Sequence, residues 1–201
     1  MLSVATGFGN LTSSVALGTT VELREAMLAI DAEAADVSAG LNEEQLSWCP
    51  GSGRWSIAQN LAHLRRTAEV FLPAVDSAIA ATRDLKLRSE GPFRLGAYGR
   101  FLVWRMDAPP MIGWRAPKSL QPQLLRFATC ELEHFLDAQA AVRRRVEEID
   151  GFDVTALRFV SPVASYVRVN LLEFFSVFNA HARRHLRQAK NIHRALPSRG
   201  R

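Results

Sequence analysis

Apolar residues recur at three- and four-residue intervals in four separate stretches, the spacing that lines one face of an α-helix. The first predicts a helix from about Thr20 to Leu41. Its stripe is Leu23, Met27, Ile30, Ala34, Val37 and Leu41, and Thr19 with Glu22 makes a capping box at its start. The second predicts a helix from about Ile57 to Leu85, opened by a Ser56–Gln59 capping box just after the loop signal Pro50-Gly51-Ser52-Gly53. Ile57, Leu61, Leu64, Ala68, Phe71 and Val75 share one side, and Val70, Ala74 and Ala78 widen it into an arc that should touch several neighbours. Pro73 has no N–H for the helical ladder and is expected to kink or split this helix. The third runs from about Pro122, a residue suited to the first helical position, to Ile149. Its stripe is Leu125, Ala128, Leu132, Phe135, Val142 and Val146, with Gln139 as the polar member. The fourth runs from about Leu171 to Leu196, capped by Asn170 and Glu173 and ended by Pro197.

Four amphipathic helices of this length predict an all-α fold, a four-helix bundle, with essentially no extended sheet. Two long connections allow crossovers. One, Lys86 to Gln121, is rich in Gly, Pro and Trp, and segments of this length tend to be functional or to cover something. The other, Asp150 to Val169, contains the apolar string LRFVSPVASYV. Residues 1–18 read as a flexible N-terminal extension and residues 19–201 as the bundle domain.

With 201 residues, 48% of them hydrophobic and 22% charged, the chain suits one domain with a sizeable core. No window approaches the roughly eighteen uninterrupted apolar residues of a membrane span. The first residues lack the basic start of a signal peptide, so a cytoplasmic protein with no membrane partner is expected. Cys49 and Cys130 are too few for a disulfide framework or an all-cysteine zinc site. The net charge of +5 raises the question of nucleic acid. Its arginines, however, are scattered. The one concentration, from Arg183 to Arg201, reads more simply as a solvated helix face with favourable charge near a C-terminus.

The candidate chemistry lies in the histidines. The inward stripe of the fourth helix, Leu171, Phe174, Phe178, His181, His185, Gln188 and Ile192, turns from hydrocarbon to imidazole at His181 and His185. Two polar rings on a buried face need partners. Those are either buried hydrogen-bonding groups or a metal, which neutral imidazole nitrogens suit. The pair lacks the glutamate of a zinc-protease helix. His63 lies at the edge of the second helix's arc, where a lone histidine is more often a satisfied core residue. It could also face the pair across a bundle and leave an open coordination position. His134 reads as a surface residue and His193 as an end-of-helix residue. The chain has no nucleophile elbow, Walker loop or dinucleotide fingerprint.

Three strings together resemble the DinB-like superfamily of small metalloenzymes. They are Trp55-Ser56-Ile57-Ala58-Gln59-Asn60-Leu61-Ala62-His63-Leu64, His181-Ala182-Arg183-Arg184-His185-Leu186-Arg187-Gln188, and the entry loop Leu46-Ser47-Trp48-Cys49-Pro50. The resemblance implies a bundle in up-down-down-up order, often a homodimer. It implies a divalent metal, nickel or zinc, on His63, His181 and His185. Relatives include thiol-dependent S-transferases and a mycothiol-dependent maleylpyruvate isomerase, and many members have no assigned activity. The expected function is thus a metal-dependent enzyme. It would be an S-transferase joining a low-molecular-weight thiol to an electrophilic small-molecule substrate, or a hydrolase using water. The alternative is a non-catalytic divalent-metal-binding or stress-related interaction protein. Apolar residues outside the four helices, Phe93, Phe101, Val103, Trp104, Met106, Met111, Ile112 and Trp114, add to the expectation of a dimer.

Overall fold

The computed structural model describes residues 18–107, 116–124 and 127–197. Helices α1 (Thr20–Ser38), α3 (Ile57–Asp84), α5 (Glu131–Glu148) and α6 (Leu171–Ala195) are long; α2 (Glu43–Ser47) and α4 (Ala97–Asp107) are shorter. A two-stranded antiparallel sheet, β1 (Arg158–Ser161) and β2 (Ala164–Asn170), precedes α6. The chain is therefore mostly helical, as the stripes predict, and its one sheet is a short hairpin that the pattern did not announce. Phe159 and Val167 lean on the core while Val160 and Tyr166 face outward, a period of two that four and seven residues are too short to announce.

The capping boxes form as the spacing predicts. Thr19, Ser56 and Asn170 each accept from the N–H three residues on, and Glu22, Gln59 and Glu173 reach back to the cap. The predicted third helix differs. Its helical start is a 3₁₀ turn at Ala128–Cys130 rather than Pro122; Leu125 of its predicted stripe lies outside the described residues. The N–H groups at that start are met from outside: the Glu43 carboxylate of α2 accepts from Ala128 N (2.7 Å) and Thr129 N (2.9 Å). Those bonds hold the Glu43 carboxyl below its usual pKa. A cap supplied by a distant element leaves no local spacing to read.

Pro73 does not split its helix. It is exposed, and the carbonyl it leaves without a donor belongs to exposed Glu69, where water serves. Helix α3 ends with Leu87 N bonded to Thr82 O and Lys86 N to Arg83 O, the two bonds of a Schellman ending, with Lys86 at φ 52° in the position glycine usually takes.

Helices α1 and α3 each pack against both α5 and α6. Specific pairs fix how they lie. Asn179 Nδ2 donates to Leu23 O and His193 Nδ1 meets Val37 O, so numbering rises together along α1 and α6. Asn60 meets His185 while Phe71 meets Phe174, so α3 and α6 run oppositely. Arg65 pairs with Glu131 and Asp76 with Arg145, so α3 and α5 rise together. One core cluster gathers Leu23, Met27, Val75, Val142, Phe175 and Phe178; a second gathers Ile30, Ile57, Leu61, Phe135, Ala182 and Leu186. Phe178 belongs to the first and Ala182 to the second, so His181 sits where the two meet.

The Lys86–Gln121 connection covers α6 through α4 and crosses α3 through a turn at Lys118–Leu120. Val103 and Phe93 pack on the core, Phe101 and Trp104 are exposed, and Met111, Ile112 and Trp114 lie outside the described residues. So do residues 1–17; Gly18 is buried and bonded to Glu22 and Phe93. Gly99 lets α4 approach α6: a Cβ there would meet Glu173 Cγ at 2.8 Å and Leu95 Cδ2 at 3.0 Å. Gly99→Ala is expected to force α4 away from Glu173 and to destabilise the chain by about 1–3 kcal/mol. Urea unfolding measures this, and an unchanged midpoint would show that α4 is not seated there.

Candidate metal centre

Helix α3 carries His63 two turns after its cap, and α6 carries His181 and His185 one turn apart. The antiparallel approach of the two helices brings the three rings together. Ring centroids are 4.5 Å apart for His63–His185, 4.6 Å for His181–His185 and 5.0 Å for His63–His181. One nitrogen from each lies within 4.8 Å of the others, an arrangement that could hold a metal ion. His63 and His185 are buried and His181 is half-buried.

The outer nitrogens of His63 and His185 have defined partners. His63 Nδ1 lies 2.5 Å from the Leu120 carbonyl oxygen. That oxygen can only accept, so Nδ1 carries the proton and Nε2 is bare. The bare Nε2 faces His181 Nε2 at 3.2 Å. His185 Nδ1 lies 2.8 Å from Asn60 Oδ1, and Asn60 Nδ2 donates to the Ser56 carbonyl at 2.8 Å. The second bond orients the amide, so His185 donates through Nδ1 and its Nε2 is also bare. Partners of this kind fix tautomer and ring orientation in metal-ligating histidines. The donor set therefore fits a borderline divalent ion such as zinc or nickel.

The electrostatics agree. Desolvation lowers the pKa of all three rings. For His63 the Leu120 hydrogen bond opposes it. His181 is pushed down to about 3, with His63 and Arg184 adding to desolvation. His185 falls well below its ordinary value for the same reason, with His181, His63 and Arg184 adding and Gln188 opposing. Neutral imidazole is the form that ligates.

The surroundings are built onto α3. The Trp55 ring stacks on His185 (5.6 Å, 24°) and lies 4.8 Å from His63. The strand of chain that delivers the Leu120 carbonyl is tied down on both sides: Arg66 Nε donates to Ser119 O (3.1 Å) and Arg65 Nη2 to Gln123 O (2.6 Å). Arg65, buried, is itself fixed by Glu131 and Glu69.

His134 stands apart from the cluster. It is half-buried on α5, with its Nδ1 shielded and without a hydrogen-bond partner among the described residues, so it is not the surface residue its position suggested. His193 ties the end of α6 to the Val37 carbonyl (2.7 Å). The basic run of α6 is partly paired: Arg183 and Arg187 with Asp107, Lys190 with Glu33. Sequence reasoning missed Asn60 and the Leu120 carbonyl. The signal for Asn60 was an amide three residues before His63 inside an apolar arc; a backbone oxygen gives none.

A family model described as the DinB superfamily matches residues 30–189, a span containing the three histidines, Trp55 and Asn60. No curated protein and no solved structure matches the chain.

The lowered pKa values have a consequence for the metal-free chain. Between the ordinary histidine value of 6.5 and the value of about 3 for His181, the unfolded chain takes up a proton that the folded one does not. Stability is therefore expected to fall as pH drops through this window, by about 1.4 kcal/mol per pH unit for each ring that stays neutral. Urea unfolding against pH, with His181→Ala for comparison, measures the slope. Equal slopes in the two proteins would show that His181 is not held neutral.

Proposed function

We propose that this chain, which belongs to the DinB superfamily, is a metal-dependent enzyme that joins a low-molecular-weight thiol to an electrophilic small molecule. The observation that carries the reading is the convergence of His63, His181 and His185, all held neutral, on one point between α3 and α6. These three residues would hold zinc or nickel and leave a coordination position open. A divalent ion so held lowers the pKa of a bound thiol or water and supplies a nucleophile near neutral pH. The chain's own residues do the rest. Leu120 O and Asn60 hold the His63 and His185 protons on Nδ1 and aim the Nε2 lone pairs. Trp55 covers the His63–His185 side and limits the approach of water. The fold belongs to the same reading: residues 19–201 form the bundle domain, residues 1–18 its extension, and the four long helices run up-down-down-up. The pairs Leu23–Asn179, Asn60–His185 and Arg65–Glu131 support that order.

A second reading, a metal-binding protein without catalysis, draws on one observation. Two of the three rings, His63 and His185, are buried, the setting of a closed structural site. A screen of thiols and electrophiles with the loaded protein separates the two readings: turnover supports the enzyme, and its absence across thiol classes supports the binder.

Elemental analysis of the purified protein tests the centre. His181→Ala is expected to lose most of the metal and His134→Ala to keep it. Asn60→Ala is expected to weaken metal affinity by about 10–100-fold, the usual effect of removing a group that orients a ligand. Equal retention in His181→Ala and the parent would reject the centre. A cytoplasmic homodimer completes the proposal, supported by the exposed Phe101 and Trp104 on α4. Sedimentation at high micromolar concentration is expected to give a dimer's mass, and a monomer there would reject it.

A further inference from the structure

Between Lys118 and Gln123 the chain crosses α3 as a strap, and its own side chains do little to hold it there. Leu120 is buried, whereas Lys118, Ser119, Gln121 and Gln123 are exposed. The hydrogen bonds described between strap and helix all start on α3 side chains and end on backbone oxygens of the strap. His63 Nδ1 donates to Leu120 O (2.5 Å), Arg66 Nε to Ser119 O (3.1 Å) and Arg65 Nη2 to Gln123 O (2.6 Å). Two of the three donors are permanent cations with anchors of their own: Arg65 on Glu131 (3.2 Å) and Glu69 (2.6 Å), Arg66 on Glu69 (3.1 Å). The third is a ring of the candidate metal centre, so one side chain serves both the strap and the centre.

The two arginine bonds are the same whether the centre is empty or filled. The histidine bond is not. An imidazole that gives its Nε2 lone pair to a divalent ion becomes a stronger Nδ1–H donor, and the oxygen it meets holds it harder. The Nδ1 bond also decides whether the ring can ligate at all. A free histidine ring favours the proton on Nε2, and here that proton would fill the position that faces His181 Nε2 at 3.2 Å. The Leu120 oxygen keeps the proton on Nδ1 only while the strap is seated. We propose that Arg65 and Arg66 are positioning residues of the histidine centre, and that the strap they seat is gripped more tightly when the centre binds its ion. By linkage, whatever seats the strap raises metal affinity and the metal in turn holds the strap. The proposal rests on the metal-centre reading for what binds at Nε2, while the seating of His63 uses only groups of α3 and the strap.

The test uses the full chain, metal-free and with zinc. It reads zinc affinity by competition with a chelator, the His63 ring nitrogens by NMR, and hydrogen exchange of the Leu120 and Gln121 amides. Those amides close the turn of the strap, on Pro117 O (2.9 Å) and Lys118 O (3.3 Å). In the parent, zinc is expected to slow exchange at both. Arg66→Ala, at a partly exposed side chain, leaves the buried Arg65–Glu131 pair in place. It is expected to weaken zinc binding by about 2- to 10-fold, the worth of one hydrogen bond, and to give a mixed His63 tautomer in the metal-free chain. Arg65→Lys, which keeps a charge beside Glu131, is expected to act in the same direction, and Arg66→Lys to recover part of the loss. Arg24→Ala, which removes an exposed arginine paired with Glu147 elsewhere, is expected to match the parent. Parent-like affinity and ring shifts in both Arg66→Ala and Arg65→Lys, an equal loss in Arg24→Ala, or zinc that binds without slowing the two amides would overturn the proposal. A parent that binds no zinc, with His63 shifts that still follow Arg66, would reject the metal centre and leave the positioning of His63 standing.

Discussion

Three imidazoles side by side in the interior must all stay uncharged, and much of the molecule's middle follows from that constraint. A protonated ring there would face desolvation and two neighbouring rings at once. The outer nitrogens of two of the rings are then spent on groups that fix them without charge. The Leu120 carbonyl and the Asn60 amide do this for His63 and His185. Both groups need support in turn. Asn60 is oriented by the Ser56 carbonyl, at the cap of its own helix. Leu120 is held in place because Arg65 and Arg66 grip the chain at Gln123 and Ser119. A buried Arg65–Glu131 pair then links this grip to α5. The centre is thus tied to the start of α3, the crossing turn and the start of α5, and not to α6 alone.

Much of the helical frame was legible in the sequence because its signals are local. The capping boxes at Thr19, Ser56 and Asn170 and the stripes of α1, α3 and α6 depend on residues three or four apart, and they hold in the structure. The failures share one cause, which is that the deciding partner is far away in the chain. The start of α5 is set by Glu43, some 85 residues earlier. The β-hairpin is set by pairing across a bulge between Val160 and Ser161 and by packing of Phe159 on the core. Pro73 was judged by its missing N–H alone, whereas its exposed position removes the cost of that loss.

The site divides in the same way. His181 and His185 could be placed on one inward face by periodicity, since a stripe of Leu and Phe cannot change to His without a change in environment. His63 could not be placed by spacing; its role came only with the resemblance, and the antiparallel crossing of α3 and α6 gives the physical reason. The groups that set the tautomers were invisible for opposite reasons. Asn60 was hidden among ordinary helix residues, and the Leu120 oxygen is an atom every residue has. Helix α4, buried in what read as a long connection, was missed together with Asp107, which bonds Arg187 and faces Arg183 on α6.

The charges around the site bear on what the centre can bind. Three neutral nitrogens leave the full charge of a divalent ion uncompensated. The nearest carboxylate along the α6 basic run, Asp107, is already engaged by Arg187 and faces Arg183. Arg184 adds a further positive charge whose field reaches both α6 histidines. By itself that field opposes a cation, but it also keeps the imidazoles deprotonated and therefore able to ligate.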